Sequence, residues 1–455
     1  MGILIVQFAP PSHAPDRPRF CHELGIAVAL LQQAGIDTAL TAMTGHDRSR
    51  LRAAITAHRP TRVLMDVPAT RATLARHTIA DISEGHYLPV ILAGRLATCQ
   101  PEKAISIPGV TALIQGEYER SLPELVRALD IGPDAASEVP GAWVNTAEGL
   151  LKNTPAPMVE DIDALPLADR EIFQYARTVH AEQEATFYAC RGCRNWCAHC
   201  LNDWYLNLYD PKRCLRRRDP SRLLDEVVEV TTRYGGARTV AFAGHAFATD
   251  VEWLEAFATE YARRVSLPFR CRVAPNAMDP RTPERLAAGR CRLVDVEVGS
   301  GSNFIREEVL TLRTTRQQII DAVAALKQAG IAVRASVFVG APYESEVSIE
   351  ETLDLLVELR VDAVRPRVFY PIPGTRAAEI CAENGWISGR GEESLYQQRS
   401  VLDMPTLPAR RINEVCRRYD ALLRRRRGKS LSAWWSRLKE ISTQPIRQLK
   451  RKPKK

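Results

Sequence analysis

The chain has 455 residues, 45% of them hydrophobic, and a formal net charge of +8, enough length and apolar content for two ordinary domains with a core each. No stretch approaches eighteen uninterrupted apolar residues, which excludes a membrane-spanning helix on sequence grounds, and the opening MGILIVQFAPPSHAP lacks the basic lead and apolar length of a signal segment; a cytoplasmic location is expected. The positive charge is local, because residues 410–455 hold 17 Lys or Arg against Glu414, Asp420 and Glu440, so it says nothing about a main site elsewhere.

Short apolar runs at 3–8, 37–43, 62–67, 88–92 and 111–115 predict buried strands, and amphipathic stretches such as 22–34 and 119–130 predict helices between them. That alternation implies a parallel sheet with helices on both faces, a doubly wound, Rossmann-like α/β domain over 1–140. Residues 141–170 change to turn-forming residues with three prolines after Leu151, and a linker is expected over 141–180. A second alternation follows, with strands expected at 186–189, 238–243, 268–273, 293–298, 332–339 and 362–369 and helices between them, including one at 303–310. Six successive βα units predict a complete or partial TIM-type barrel over 181–390, with its chemistry at the carboxyl ends of the strands. A helical region with a basic tail occupies 391–455.

The cysteines stand out next. Eleven is an odd number for a disulfide framework, and seven of them (21, 99, 214, 271, 291, 381 and 416) are scattered singly, as expected of buried thiols in a reducing compartment. The other four lie in CRGCRNWCAHC, Cys190 to Cys200, just after the first barrel strand. Structural zinc usually takes two paired knuckles some distance apart, and no second Cys or His pair follows at that spacing. A cubane iron-sulfur cluster can instead be held by three compactly spaced thiolates with one iron left open.

Cys193, Cys197 and Cys200 form C-x-x-x-C-x-x-C, which resembles the cluster motif of the radical SAM superfamily, and the resemblance implies a 4Fe-4S cluster and S-adenosyl-L-methionine (SAM). YACRGC resembles the family's entry to that motif with Cys190 at a usual Ser position, so Cys190 is left out as a ligand. Residues 1 to about 390 resemble radical SAM proteins with an N-terminal cobalamin-binding domain: VILAGRLATCQPEKAISIPGVTALIQGEYERSLPEL places Gly94, Thr98, Gly116 and Glu117 on fixed points of that domain, and glycines after strands would let a large planar ligand approach the backbone. The histidine motif D-x-H-x-x-G is absent, so the resemblance implies cobalamin without a motif histidine on its lower face; His46, His58, His77 and His86 are expected on surfaces or helices. In the barrel, VFVGAPYESEVSIEETLDLLVEL resembles a family segment through Gly340, Pro342 and Glu344, with Tyr343 replacing a Gly, and YPIPGT matches a late P-x-P-G-T segment.

Three departures touch the SAM side. VEVGSGS puts Gly299 where relatives carry a glutamate, leaving Glu297 on the same strand face, and Ser300 beside it, to hold the SAM ribose. AFAGHAFATD replaces an acidic segment with Gly244 and His245, and His199 takes a usually aromatic place before the last cysteine.

The resemblance implies a C-methyltransferase that acts on an unactivated carbon through a 5'-deoxyadenosyl radical; a non-methylating cobalamin radical SAM cyclase or rearranging enzyme and a degenerate scaffold stay open as alternatives. No catalytic side chain is assignable from the sequence. The expected partners are a small-molecule, lipid or peptide substrate and an external flavodoxin- or ferredoxin-like electron donor, with no specific nucleic acid. In the tail, Trp434, Trp435, Leu438 and Ile441 interleave with Lys and Arg, a composition suited to peripheral contact with the inner membrane face, and Pro445 is expected to limit any helix there to a few turns.

Overall fold

Alternating small and β-branched apolar residues build the first layer. The computed structural model describes residues 2–9, 18–244, 246–388 and 399–443; His245 and residues 444–455 fall outside that set. The first unit runs β1 (Gly2–Phe8), α1 (His22–Gln33), β2 (Asp37–Met43), α2 (Arg48–His58), β3 (Arg62–Asp66), α3 (Ala72–Gly85), β4 (Val90–Ala93), α4 (Gly94–Cys99), α5 (Pro101–Ile105), β5 (Val110–Ile114) and α6 (Ser121–Ile131). Its strand order is β2-β1-β3-β4-β5, all parallel. Leu4 and Val6 join one core and Ile3 and Ile5 another, because successive residues of a strand covered on both faces point to opposite layers. The chain direction reverses between β1 and β3, and such a switch point opens a crevice at the carboxyl ends of the strands.

The expected linker begins later than residue 141. β6 (Ala142–Thr146) and β7 (Gly149–Lys152) add an antiparallel hairpin to the first sheet, making seven strands. The turn residues Thr146 to Gly149 that suggested a linker are the hairpin turn, and Ala142 and Val144 are buried in the core of this sheet.

After α7 (Tyr175–Glu182) the second unit is built from β8 (Glu184–Tyr188), a small ribbon of β9 (Cys190–Arg191) with β10 (Arg216–Arg217), α8 (Asn202–Leu208), α9 (Pro220–Tyr234), β11 (Thr239–Ala243), α10 (Val251–Arg264), β12 (Phe269–Val273), α11 (Thr282–Ala288), β13 (Cys291–Gly299), α12 (Arg316–Gln328), β14 (Ala332–Val339), α13 (Glu346–Leu359) and β15 (Ala363–Val368). The six long strands pair in parallel in the order β8-β11-β12-β13-β14-β15, an open arc and so a partial barrel. Where a helix was expected at 303–310 the chain forms a π-helical stretch, Phe304–Val309.

Phe187, Phe242, Cys271, Val296 and Val337 face the helices in one core, so the alternate residues of the same strands line the concave side. α14 (Arg376–Glu383) follows, and α15 (Ala409–Thr443) is a single helix of 35 residues, longer than the few turns expected: Gly428 does not interrupt it, and Pro445 lies two residues past its end. Ile412, Val415, Tyr419 and Leu423 pack it onto the barrel core, and Arg426 holds Asp354 and Glu350 of α13 at 2.5–2.6 Å. Trp434, Trp435, Leu438 and Ile441 fall on its distal part, whose side chains lie outside the described set. Among the described residues no helix is long and apolar enough to cross a membrane.

Candidate active site

The carboxyl edges of the two sheets face one another. Ala69, after β3, and Cys99, at the end of α4, share a buried apolar patch with Leu201 of the cysteine loop, and Ile372 of the loop after β15 packs against it. The Gln100 amide donates to Pro373 O at 3.2 Å across the same boundary. Ion pairs lock this arrangement: Arg216 holds Glu117 at 2.6 and 2.9 Å, Arg191 holds Glu119 at 2.5 Å, and Val159 N–H donates to Glu117 at 3.0 Å. Arg170 and Arg218 meet on buried Glu226. Glu117, expected at the cofactor, is therefore the clasp between the two units, and pairing with Arg216 and Arg191 brings its carboxyl below the ordinary range despite the opposing effect of burial.

Between those edges lies the loop of Cys193, Cys197 and Cys200, and all eleven cysteines are free thiols. Its backbone is pinned at several points. Ala198 N–H donates to Leu310 O (3.1 Å) and Thr311 Oγ1 (2.8 Å), Thr311 Oγ1 donates to Trp196 O (2.7 Å), and the Asn202 amide reaches Cys193 O (2.9 Å) and Asn195 O (3.1 Å). Burial, then the neighbouring Cys200 and Cys193, pushes the Cys197 thiol up to about 12, and burial likewise raises Cys193. Among the described residues no three His, Cys, Asp or Glu side chains converge tightly enough to hold one metal ion. Three closely spaced soft thiolates are a donor set that suits an iron-sulfur cluster with one iron left open. Cys190 points elsewhere: it is buried in β9, with its sulfur 3.5 Å from the place a Cβ on Gly244 would occupy.

The opposite edge carries Gly94, Thr98 and Gly116. Thr98 Oγ1 donates to Gly94 O at 2.9 Å and accepts from Gly116 N–H at 3.2 Å, so one hydroxyl ties both glycines into a ledge, and both have positive φ, +82° and +96°. A Cβ on Gly94 would collide with Asp66 Oδ1 and one on Gly116 with Tyr209 Oη; the close approaches these glycines permit are made by the protein's own side chains. Tyr205 of α8, Tyr209 just past its end, and Arg95, whose neighbours include Cys200 and Tyr205, stand between the ledge and the cysteine loop. Small residues, a hydroxyl and phenols suit the amide-bearing rim of a corrin, and the His46 imidazole is engaged with Asp81 at 2.8 Å. Gly94, Thr98 and Gly116 lie together after β4 and β5 at this carboxyl edge and are the residues that would hold cobalamin.

Inside the arc, Glu297 sits on β13 with one carboxylate oxygen receiving Arg367 of β15 at 2.7 Å. Its other oxygen, Oε1, is buried without a hydrogen-bond partner among the described residues. Burial raises its pKa above the ordinary carboxylate value. Ser300 is not brought there: it is buried against Thr352 (3.3 Å), and its hydroxyl accepts from Ser302 N–H. Gly340 is covered by Ile412 of α15, which a Cβ would meet at 2.8 Å, and packs rather than binds. Gly299 has φ +68° and lies under Leu312, which explains why the usual glutamate is absent at this position. His199 packs edge-on against Phe338, with ring centroids 4.8 Å apart. Sequence reading passed over Arg95, Tyr205, Tyr209 and Arg367; the period-two spacing of arginines in FRCRV and AVRPRV was the signal available for the barrel.

Residues 187–356 match the model of the radical SAM superfamily. The chain carries a radical SAM domain. The domain begins on β8 and takes in the cysteine loop, and its match ends within α13. An uncharacterized methyltransferase of Pyrococcus horikoshii is 23% identical over 321 residues, covering 69% of this chain and 68% of its own. A tRNA-2-methylthio-N(6)-dimethylallyladenosine synthase of Desulfosudis oleivorans is 24% identical over 376 residues, covering 78% and 74%. Among solved structures, the radical SAM methyltransferase TsrM of Kitasatospora setae, determined with tryptophan and a SAM analogue, superposes with a TM-score of 0.66 at 17% identity, over 86% of this chain and 77% of that one; the same protein has been solved with cobalamin and a [4Fe-4S] cluster. That likeness is one of fold: a doubly wound domain followed by a radical SAM barrel.

Proposed function

We propose that this radical SAM protein is a cobalamin-dependent methyltransferase that places a methyl group on an unactivated carbon. The observation that supports the reading is that the Gly94–Thr98–Gly116 edge and the cysteine loop are neighbours, with Leu201 packed on Ala69 and Cys99, Tyr209 Oη accepting from Glu117 N–H, and Arg95 beside Cys200 and Tyr205. TsrM, with the same two-domain fold, is a methyltransferase solved with both cofactors.

When bound, a 4Fe-4S cluster at Cys193, Cys197 and Cys200 and cobalamin at Gly94, Thr98 and Gly116 supply, respectively, the electron that cleaves SAM and the methyl group. The chain supplies position. Asn202 and Thr311 pin the backbone of the loop that would hold the cluster, whose thiols would bind as thiolates. Glu297, held in place by Arg367, would offer its free carboxylate oxygen to the ribose hydroxyls of SAM. Radical chemistry asks for orientation and exclusion of water more than for a side-chain base. An external flavodoxin- or ferredoxin-type protein delivers the electron.

The test is anaerobic reconstitution with iron, sulfide and hydroxocobalamin, followed by reduction with SAM and product analysis beside Cys197→Ala. Deoxyadenosine and S-adenosylhomocysteine, both lost in the variant, are expected. Deoxyadenosine alone would replace methylation with a non-methylating radical reaction, and a protein that assembles no cluster would sink the reading.

A further inference from the structure

The outer end of the glycine ledge is already occupied. Gly116 has φ +96°, and the space a Cβ would fill there is taken by Tyr209 Oη, with Leu208 Cδ2 the next nearest side-chain atom outside that ring at 3.6 Å. The same phenol accepts from Glu117 N–H at 3.1 Å. Gly116 N–H goes to Thr98 Oγ1 at 3.2 Å, and the Glu117 carboxylate is committed to Arg216 and Arg191. Both backbone donors of Gly116 and Glu117 are therefore satisfied by the protein itself while Tyr209 stays in place.

The two side chains that fill the ledge are held very differently. Asp66, which takes the space beside Gly94, ends β3, is paired in the sheet with Gln7 and Ala93, and receives Tyr118 Oη at 3.2 Å; it belongs to the frame. Tyr209 follows α8, and of the seven residues of that helix only Leu206 is buried. Asn207 and the turn from Asp210 to Arg213 are exposed, and the next buried residue is Cys214. The amino end of α8 is anchored, because the Asn202 amide holds Cys193 O and Asn195 O, and Leu201 before it is buried against Ala69 and Cys99. The helix is thus fixed where it leaves the cysteine loop and weakly packed where it meets the ledge. A segment with few buried apolar contacts opens at small cost in free energy.

We infer that Tyr209 is a gate on the ledge: its phenol fills the place beside Gly116 until cobalamin loads, and loading turns it out. Whatever replaces the phenol must offer Glu117 N–H an acceptor, as an amide carbonyl does, since a buried donor left unpaired is costly. The inference rests on the proposal that the ledge holds cobalamin, and adds a regulation of that site. Affinity is lowered in proportion to the fraction of chains in which the gate is open.

The full chain, reconstituted anaerobically with its cluster, is titrated with hydroxocobalamin and followed by absorbance. Removing the occupant should tighten binding at least fivefold in Tyr209→Ala, and by less in Tyr209→Phe, which keeps the ring and loses the acceptor. Tyr87→Ala, at a site 84% exposed, should match the wild type, and melting curves establish that each variant is folded. Hydrogen exchange supplies a second sign: on loading, the amides of 207–213 should exchange faster while those of 94–98 slow. Unchanged or weaker binding in a folded Tyr209→Ala would overturn the gate and leave the cobalamin reading standing, the weaker case making Tyr209 a contact of the bound cofactor. Slower exchange across 207–213 would mean that α8 closes on the ligand, and would overturn the gate as well. If neither the wild type nor Tyr209→Ala binds hydroxocobalamin, the ledge is no cobalamin site and the gate falls with that reading.

Discussion

Glu344 closes the turn after β14, accepting from Gly340 N–H and holding the barrel strand to the start of α13. Burial raises its carboxyl to about 7, against an ordinary 4.5, despite the backbone donors that oppose the shift. A carboxyl whose folded pKa is raised binds its proton more tightly in the native state, so its contribution is fully present below pH 4.5 and is lost as pH rises through 7. In that window stability should fall by about 1.4 kcal/mol per pH unit from this group. Glu344→Gln should remove this component, so the difference in melting temperature between variant and wild type should move in the variant's favour from pH 5 to pH 8; a constant difference would show that Glu344 titrates normally. The same carboxyl was visible in sequence only as a matched letter of a family segment. Its burial under α15 comes from Ile412, Tyr419 and their neighbours, more than sixty residues away.

Among elements, the pairing of the loop between β5 and α6 with the β9–β10 ribbon decides how the two units sit. Arg216, with a side chain 10% exposed, faces Glu117 at 9%, so removing the guanidinium leaves a carboxylate in poor solvent. Arg216→Ala should destabilise the chain by about 2–3 kcal/mol, at or below the usual cost of breaking a buried pair because Arg191 and Val159 N–H remain. It should also quicken hydrogen exchange in the ribbon and the 153–174 segment. A double-mutant cycle with Glu117→Gln measures the pair, and a coupling near zero would mean that the clasp holds nothing. At this scale most of the fold was legible: all eleven expected strands are present, because each is an apolar run with period-two or continuous burial. The β6–β7 hairpin was not, since a short edge hairpin and a linker share turn residues and differ only in what they pack against. The long helix α15 was misjudged in extent for a related reason: a highly charged segment gains its order from the barrel face it covers.

For the molecule as a whole, the cysteine loop is pinned by Asn202 and Thr311 and touches the barrel core through Cys197 and Ala198, while the bulk of that core is built from the strands and helices themselves. Cluster loading should therefore raise the melting temperature by a few degrees and slow hydrogen exchange across 192–202, and chelation of iron should reverse both without unfolding the chain. Collapse of the far-ultraviolet circular dichroism on chelation would show that the loop carries the fold. The class of architecture and the grouping of Cys193, Cys197 and Cys200 were legible in the chain, because strand periodicity and the spacing of cysteines within eleven residues are local properties. Tertiary packing decided that Glu117 clasps the two units, that Ser300 and Gly340 are packed away, and that Arg367 of β15 reaches over β14 to Glu297 of β13. Those outcomes depend on which strands become neighbours and which glycines are covered, long-range packing that spacing along the chain does not encode.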